Sequence, residues 1–143
     1  MAVSSLAAVH DDPADSWARA AARLTEAGRL DDEDARRLRW LDAFGALIGN
    51  TDRHQYDILF FTAGSRLRLA PAFDQVSMLY APSEDGRVPS RVLALPHATS
   101  DTLSVWDDAR MAAREFWGRA RDDERVSDDI RSLSAANADA LAR

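Results

Sequence analysis

Apolar positions recur at helical spacing in four stretches of the chain and at strand spacing in one. Trp17, Ala20, Ala21, Leu24 and Ala27 share one helix face; Asp12-Pro13 offers an N-cap with proline in the first turn, and Gly28 closes the run. A second helix is expected after Asp31, with Asp32, Glu33 and Asp34 in its first turn, where the helix dipole favours negative charge. Its inner face is Leu38, Leu41, Gly45, Leu47 and Ile48, widened by Trp40 and Phe44, and Gly49-Asn50 is its stop. The period then changes. Ile58–Phe61 reads as a short buried strand, Thr62–Ser65 as a turn, and Arg66–Leu69 alternates arginine and leucine, so the three together predict a β-hairpin ended by Pro71. Residues 81–101, with Pro82, Pro89, Pro96 and Gly86, have little periodicity and form a loop long enough to be functional, mobile or both. Thr102 caps a third long helix carrying Leu103, Trp106, Ala109, Ala113, Phe116 and Trp117. A last one starts after Ser127 with Ile130, Leu133, Ala136 and Leu141. Residues 1–11 are weakly patterned and are expected to fray. The prediction is a single domain over 1–143, mainly α, with one small β-hairpin in the middle.

Composition narrows this picture. The chain has 143 residues, 46% of them hydrophobic, with 29% charged residues and four tryptophans, which suits a packed core rather than a disordered chain. No apolar run approaches the roughly 20 residues of a membrane span, and residues 1–10 lack the basic and apolar regions of a signal peptide. A cytoplasmic protein with no membrane partner is expected. A net charge of −6 disfavours general nucleic-acid binding, so no direct nucleic-acid partner is expected. With no cysteine there is neither a disulfide framework nor thiolate chemistry. All 18 basic residues are arginine, and the missing lysine excludes any step that needs an ammonium group from this chain.

Candidate chemistry gathers around the hairpin. Asp52 and Asp57 precede it and Asp74 follows it, within Gly49-Asn50-Thr51-Asp52-Arg53-His54-Gln55-Tyr56-Asp57 and Leu69-Ala70-Pro71-Ala72-Phe73-Asp74. Because a hairpin returns the chain to its starting point, Asp57 and Asp74 should be neighbours, with Asp52 on the loop beside them. Close-set carboxylates repel one another, and a divalent hard cation relieves that repulsion. Mg²⁺ takes one or two carboxylates together with phosphate oxygens. Phosphoryl transfer needs one carboxylate to orient and deprotonate a hydroxyl and others to hold the metal. Protein kinases place a metal-binding asparagine five residues after the catalytic aspartate and a second metal-binding aspartate beyond a hairpin. Asp52, Asp57 and Asp74 fit that spacing.

At these residues the sequence resembles a known family. Leu47-Ile48-Gly49-Asn50-Thr51-Asp52-Arg53-His54, then Leu69–Asp74 and Met78-Leu79-Tyr80, look like the C-terminal lobe of HipA-type serine/threonine kinases, the toxins of bacterial toxin–antitoxin pairs. The helix around Ala113–Trp117 and the last helix resemble the same family. The resemblance implies the helical C-lobe of a HipA-type protein-kinase-like fold, with Asp52 as catalytic base and Asp74 as Mg²⁺ ligand. It also implies ATP as phosphoryl donor, a protein substrate such as an aminoacyl-tRNA synthetase, and restraint by a HipB-like DNA-binding antitoxin.

Two departures qualify these implications. The family usually has asparagine where this chain has Asp57, which can still bind Mg²⁺ through oxygen. In addition there is no glycine-rich phosphate loop and no lysine, for which arginine is a poor substitute. The chain resembles about the last third of a full kinase, and a fragment, a split gene product and a decayed remnant all remain open. His54 is assigned either a structural or a nucleotide-binding role, and Arg53 either a phosphate or a neighbouring carboxylate. The rivals to a kinase are a non-catalytic binding module and a metal-dependent phosphohydrolase using the same carboxylates.

Overall fold

The computed structural model describes residues 2–91 and 93–143; Met1, at the head of the segment expected to fray, and Val92, in the long loop, lie outside the described residues. In chain order the elements are β1 (Ala2–Ser5), α1 (Leu6–Val9), α2 (Trp17–Glu26), α3 (Asp32–Leu47), β2 (Leu59–Ala63), β3 (Arg66–Leu69), α4 (Trp106–Asp122) and α5 (Asp128–Leu141). Single 3₁₀ turns lie at Gln55–Asp57, Met78–Tyr80 and Leu103–Val105. The expectation of a mainly helical chain with a central hairpin holds, but the sheet has a third strand.

That strand corrects the reading of residues 1–11. β1 pairs antiparallel with β2, Ser4 opposite Phe60, and β2 pairs antiparallel with β3, Phe60 opposite Leu69, giving the order β1-β2-β3. Leu6 is fully buried and its amide donates to the Ile58 carbonyl at 2.8 Å. Four residues of Ala-Val-Ser-Ser carry too little period to announce a strand; the free edge of β2 recruits them, a tertiary effect outweighing local propensity.

Helix boundaries follow capping chemistry. Asp31 accepts from the Asp34 amide at 2.8 Å and starts α3 as expected. By contrast, α2 starts at Trp17, not Pro13: Asp12 closes a short turn onto the Ala14 amide, and Ser16 accepts from the Arg19 amide at 3.1 Å. Gly28, with φ of 69°, ends this helix in the left-handed conformation that glycine adopts without strain. The Thr102 hydroxyl binds back to the Thr99 amide instead of capping α4, and a 3₁₀ turn intervenes before Trp106.

The buried face of α5 also differs from expectation. It is Ser134, Asn137, Ala138 and Leu141, while Ala136 is exposed and Ile130 half-buried. Small residues there let α5 approach α4 closely, and hydrophobicity alone does not mark such a face.

Two cores share α3. Ala35 and Leu38 pack with Leu6, Trp17, Leu24, Phe60 and Leu67 on the sheet side. One or two turns later, Ala43 and Leu47 pack with Tyr80, Val105, Ala113, Trp117 and Leu141 on the side of α4 and α5. The described residues of the 81–101 loop contain no helix or strand, yet Leu93 is buried and Val88 packs against the second core. Among the described residues no helix is long and apolar enough to cross a membrane.

Candidate functional site

The segment from Gly49 to Asp57 leaves the end of α3 and turns into β2, so both cores fix its ends. Gly49 has φ of 76°, and a Cβ there would come within 3.2 Å of the Leu79 side chain, so glycine is needed for conformation and for space. The Asn50 amide returns to the Gly45 carbonyl at 2.8 Å, and the buried Asn50 side-chain oxygen accepts from the Asp52 amide at 3.2 Å. Asp52 therefore stands on a tied backbone with its carboxylate in solvent.

The next residues are held from behind. Arg53 donates through Nε to Asp42 Oδ1 at 3.1 Å and through Nη1 to the Asn50 carbonyl at 2.6 Å. Asp42, buried in α3, uses Oδ2 to accept from the Ala18 amide at 3.0 Å in the first turn of α2. Trp17 donates its indole N–H to the His54 carbonyl at 3.0 Å, and Gln55 donates to the carbonyls of Asp12 and Asp15 at 2.8 and 3.1 Å. These groups line a cleft of about 320 Å³ behind the loop.

Of the remaining candidates, Asp57 is buried at the end of a 3₁₀ turn, its Oδ2 3.4 Å from His54 Nε2. The His54 side chain is 48% exposed. Asp74 is exposed, with φ of 56°, a left-handed conformation that aspartate tolerates better than most side chains. The Ala70 amide donates to the Leu59 carbonyl at 2.9 Å, continuing the ladder past β3, so the segments that carry Asp57 and Asp74 leave the hairpin at the same end.

The three aspartates do not converge into one cage: among the described residues no group of three or more His, Asp or Glu side chains is placed to hold a metal. Asp57 is turned into the protein while Asp52 and Asp74 face solvent. Of the two partners considered for Arg53, the structure supplies the carboxylate, Asp42.

Sequence reasoning passed over Trp17, Asp42 and Gln55 as parts of this site. Asp42 did carry a signal, being a charged residue one turn from Leu38 on the apolar face of α3. Trp17 and Gln55 carried none, because each acts through a backbone carbonyl more than 30 residues away in sequence.

Comparison with known proteins accords with the loop and hairpin. Residues 2–140 match the family model described as the HipA-like C-terminal domain. Among curated proteins, Toxin YjjJ of Escherichia coli (strain K12) is 28% identical over 119 residues, which covers 83% of this chain and 27% of that protein. The chain thus spans only about a quarter of the curated relative it matches. No solved structure matches it. With nearly its whole length matched by the family model, the chain belongs to the HipA-like C-terminal domain family.

Proposed function

We propose that this chain is the catalytic C-terminal part of a HipA-type serine/threonine kinase, moving the γ-phosphoryl of ATP to a hydroxyl of a protein substrate. The observation that carries this reading is the tied loop: Asp52 is presented to solvent on a backbone pinned on both sides, beside the hairpin end that the segments carrying Asp57 and Asp74 leave. Asp52 orients the acceptor hydroxyl and takes its proton as the oxygen attacks the γ-phosphorus, whose bond to the β–γ bridging oxygen breaks to release ADP. Asp74, which faces solvent, would offer Mg²⁺ a hard carboxylate oxygen, and Asp57, turned into the protein beside His54, would join it only by swinging outward. A Mg²⁺ ion held there would neutralise phosphate charge. His54, half-exposed beside Asp57, would contact the nucleotide in this reading.

The kinase-like C-lobe, the toxin role, a cytoplasmic location, a translation enzyme as substrate and a DNA-binding antitoxin as partner belong to the same proposal. The toxin role draws on the family membership and on a relative named as a toxin; the others rest on the resemblance of the loop and hairpin residues to HipA-type kinases. A second reading, a binding module without catalysis, is favoured by one observation: the chain holds no lysine to grip ATP phosphates.

Melting this chain with and without Mg²⁺-ATP separates the two. Ligand at about 100 times its dissociation constant stabilises by roughly 2.7 kcal/mol, equivalent to about 8 °C for a domain of this size. The control is Asp74→Gly, since glycine accepts the positive φ while removing the side chain with its carboxylate. The kinase reading expects a shift in the wild type that Asp74→Gly abolishes and Asp52→Ala retains while losing phosphoryl transfer. No shift in this chain means that further residues are required or that it is a binding module, and absence of both a shift and phosphoryl transfer in the complete protein favours the module.

A further inference from the structure

The mid-helix aspartate of α3 has no place in the chemistry proposed above, yet it sits at the centre of the contacts behind the loop. Asp42 is 8% exposed and both carboxylate oxygens are engaged, one by the Ala18 amide and one by Arg53 Nε. Arg53 in turn grips the Asn50 carbonyl with Nη1. Asn50 is the residue whose side chain holds the Asp52 amide. A continuous chain of hydrogen bonds therefore runs from the first turn of α2 through α3 to the backbone of Asp52.

Gly45 makes room for this chain of contacts. It lies one turn beyond Asp42, and a Cβ there would fall 2.7 Å from Arg53 Cδ. Since Cδ lies midway along the side chain, the guanidinium could not keep both partners if it shifted. The arginine head is thus routed across a glycine into a carboxylate and a carbonyl, and among the described residues Nη2 has no protein partner.

We propose that Asp42, Arg53 and Gly45 form a positioning clamp that sets where the Asp52 carboxylate stands. In this role Arg53 is a positioning residue and not a ligand of phosphate. The inference rests on reading Asp52 as the group that meets the acceptor hydroxyl. Misplacing a reacting group by about 1 Å can cost on the order of 100-fold in rate, so the clamp is worth holding rigid.

Gly45→Ala and Arg53→Gln provide the test. Both are expected to raise amide hydrogen exchange at Asp52 by about 10-fold or more, while Ala109 and Ala113 in α4 exchange as before. Gly45→Ala is the sharper variant, because alanine improves helix propensity and so holds or raises the melting temperature even as the loop loosens. In phosphoryl transfer by the complete protein, both variants are expected to lower kcat by about 10- to 100-fold with KM for ATP little changed. Unchanged exchange at Asp52 in both variants overturns the clamp, and so does a uniform rise across all helices. A raised KM for ATP in Arg53→Gln alone, with Gly45→Ala behaving as wild type, makes Arg53 a phosphate contact instead. If the wild type neither binds Mg²⁺-ATP nor transfers phosphate, the kinase reading fails while the exchange data still decide the clamp.

Discussion

Trp17 joins the core to the site through one atom. Its ring is 2% exposed among Leu6, Leu24 and Phe60, and its indole N–H is the partner of the His54 carbonyl. Trp17→Phe keeps an aromatic ring in the core but removes that donor and shrinks the side chain. The His54 carbonyl keeps the Asp57 amide as a donor at 3.1 Å, so losing the indole bond costs about 0.5–1.5 kcal/mol; the urea midpoint should fall and amide exchange at His54 and Gln55 should rise more than elsewhere. Equal acceleration at every amide would show that the tryptophan only fills space. A second residue-scale effect lies far from the site, between α4 and α5. Arg125 donates to Asp123 through Nε at 3.0 Å and Nη2 at 2.8 Å, and its amide donates as well. These bonds hold the Asp123 carboxyl down from the ordinary 3.8 to about 2. A carboxylate lowered in this way stabilises the fold above its ordinary pKa, and the contribution fades as pH falls from about 4 towards 2. The pair is exposed, so the effect on stability is small, but the titration is readable by NMR. Arg125→Gln should return the Asp123 midpoint most of the way to its ordinary value, and an unmoved midpoint would remove Arg125 as the cause.

At the scale of elements, the N-terminal segment is where local sequence and structure part most clearly. β1 and α1 are short, and their fully buried anchor is Leu6, 0% exposed and clustered with Ile58 and Phe60. Leu6→Ala is expected to cost about 2–4 kcal/mol, the range for deleting a buried leucine side chain, measured by urea unfolding. A cost below about 0.5 kcal/mol would mean that the segment frays after all. Elements with a strong period and a chemical stop were legible in advance: α3 from its Asp31 cap to Gly49, and the hairpin from the change to period two. Elements that exist because a partner demands them were not. β1 forms on the edge of β2, the cap of α2 moves from Asp12 to Ser16 because Asp12 closes its own turn, and α5 buries Ser134 and Asn137 beside Leu141 while Ala136 stays exposed. The candidate site divides in the same way. Asp52, Asp57 and Asp74 stand out by spacing around a hairpin, while the groups that hold their backbone act through carbonyls, which side-chain identity does not reveal.

On the scale of the whole molecule, α3 is a beam between two cores that share few other residues. The sheet core rests on its first half and the α4–α5 core on its second, where Trp117 donates to the Leu47 carbonyl at 3.1 Å. Proteins built this way open locally in cooperative units rather than all at once. Trp117→Ala removes a ring that is 2% exposed and a bond to the end of α3. About 3–5 kcal/mol of stability is expected to be lost, concentrated in α4 and α5, whose amides should exchange through a local opening. β2 and β3 should keep their protection. The Asp52 loop is the informative case because it is attached to both sides. Gly49 is tied to the second core, its carbonyl accepting from the Leu79 amide at 3.0 Å. Asn50, Arg53, His54 and Gln55 are tied through Asp42, Trp17 and the start of α2 to the first. If the ties to the first core dominate, Asp52 keeps its slow exchange in Trp117→Ala while α4 and α5 open, and the site outlasts half of the fold. If Asp52 opens with α4, the second core sets the loop and the clamp serves only to refine it; residue-resolved exchange in this one variant distinguishes the two.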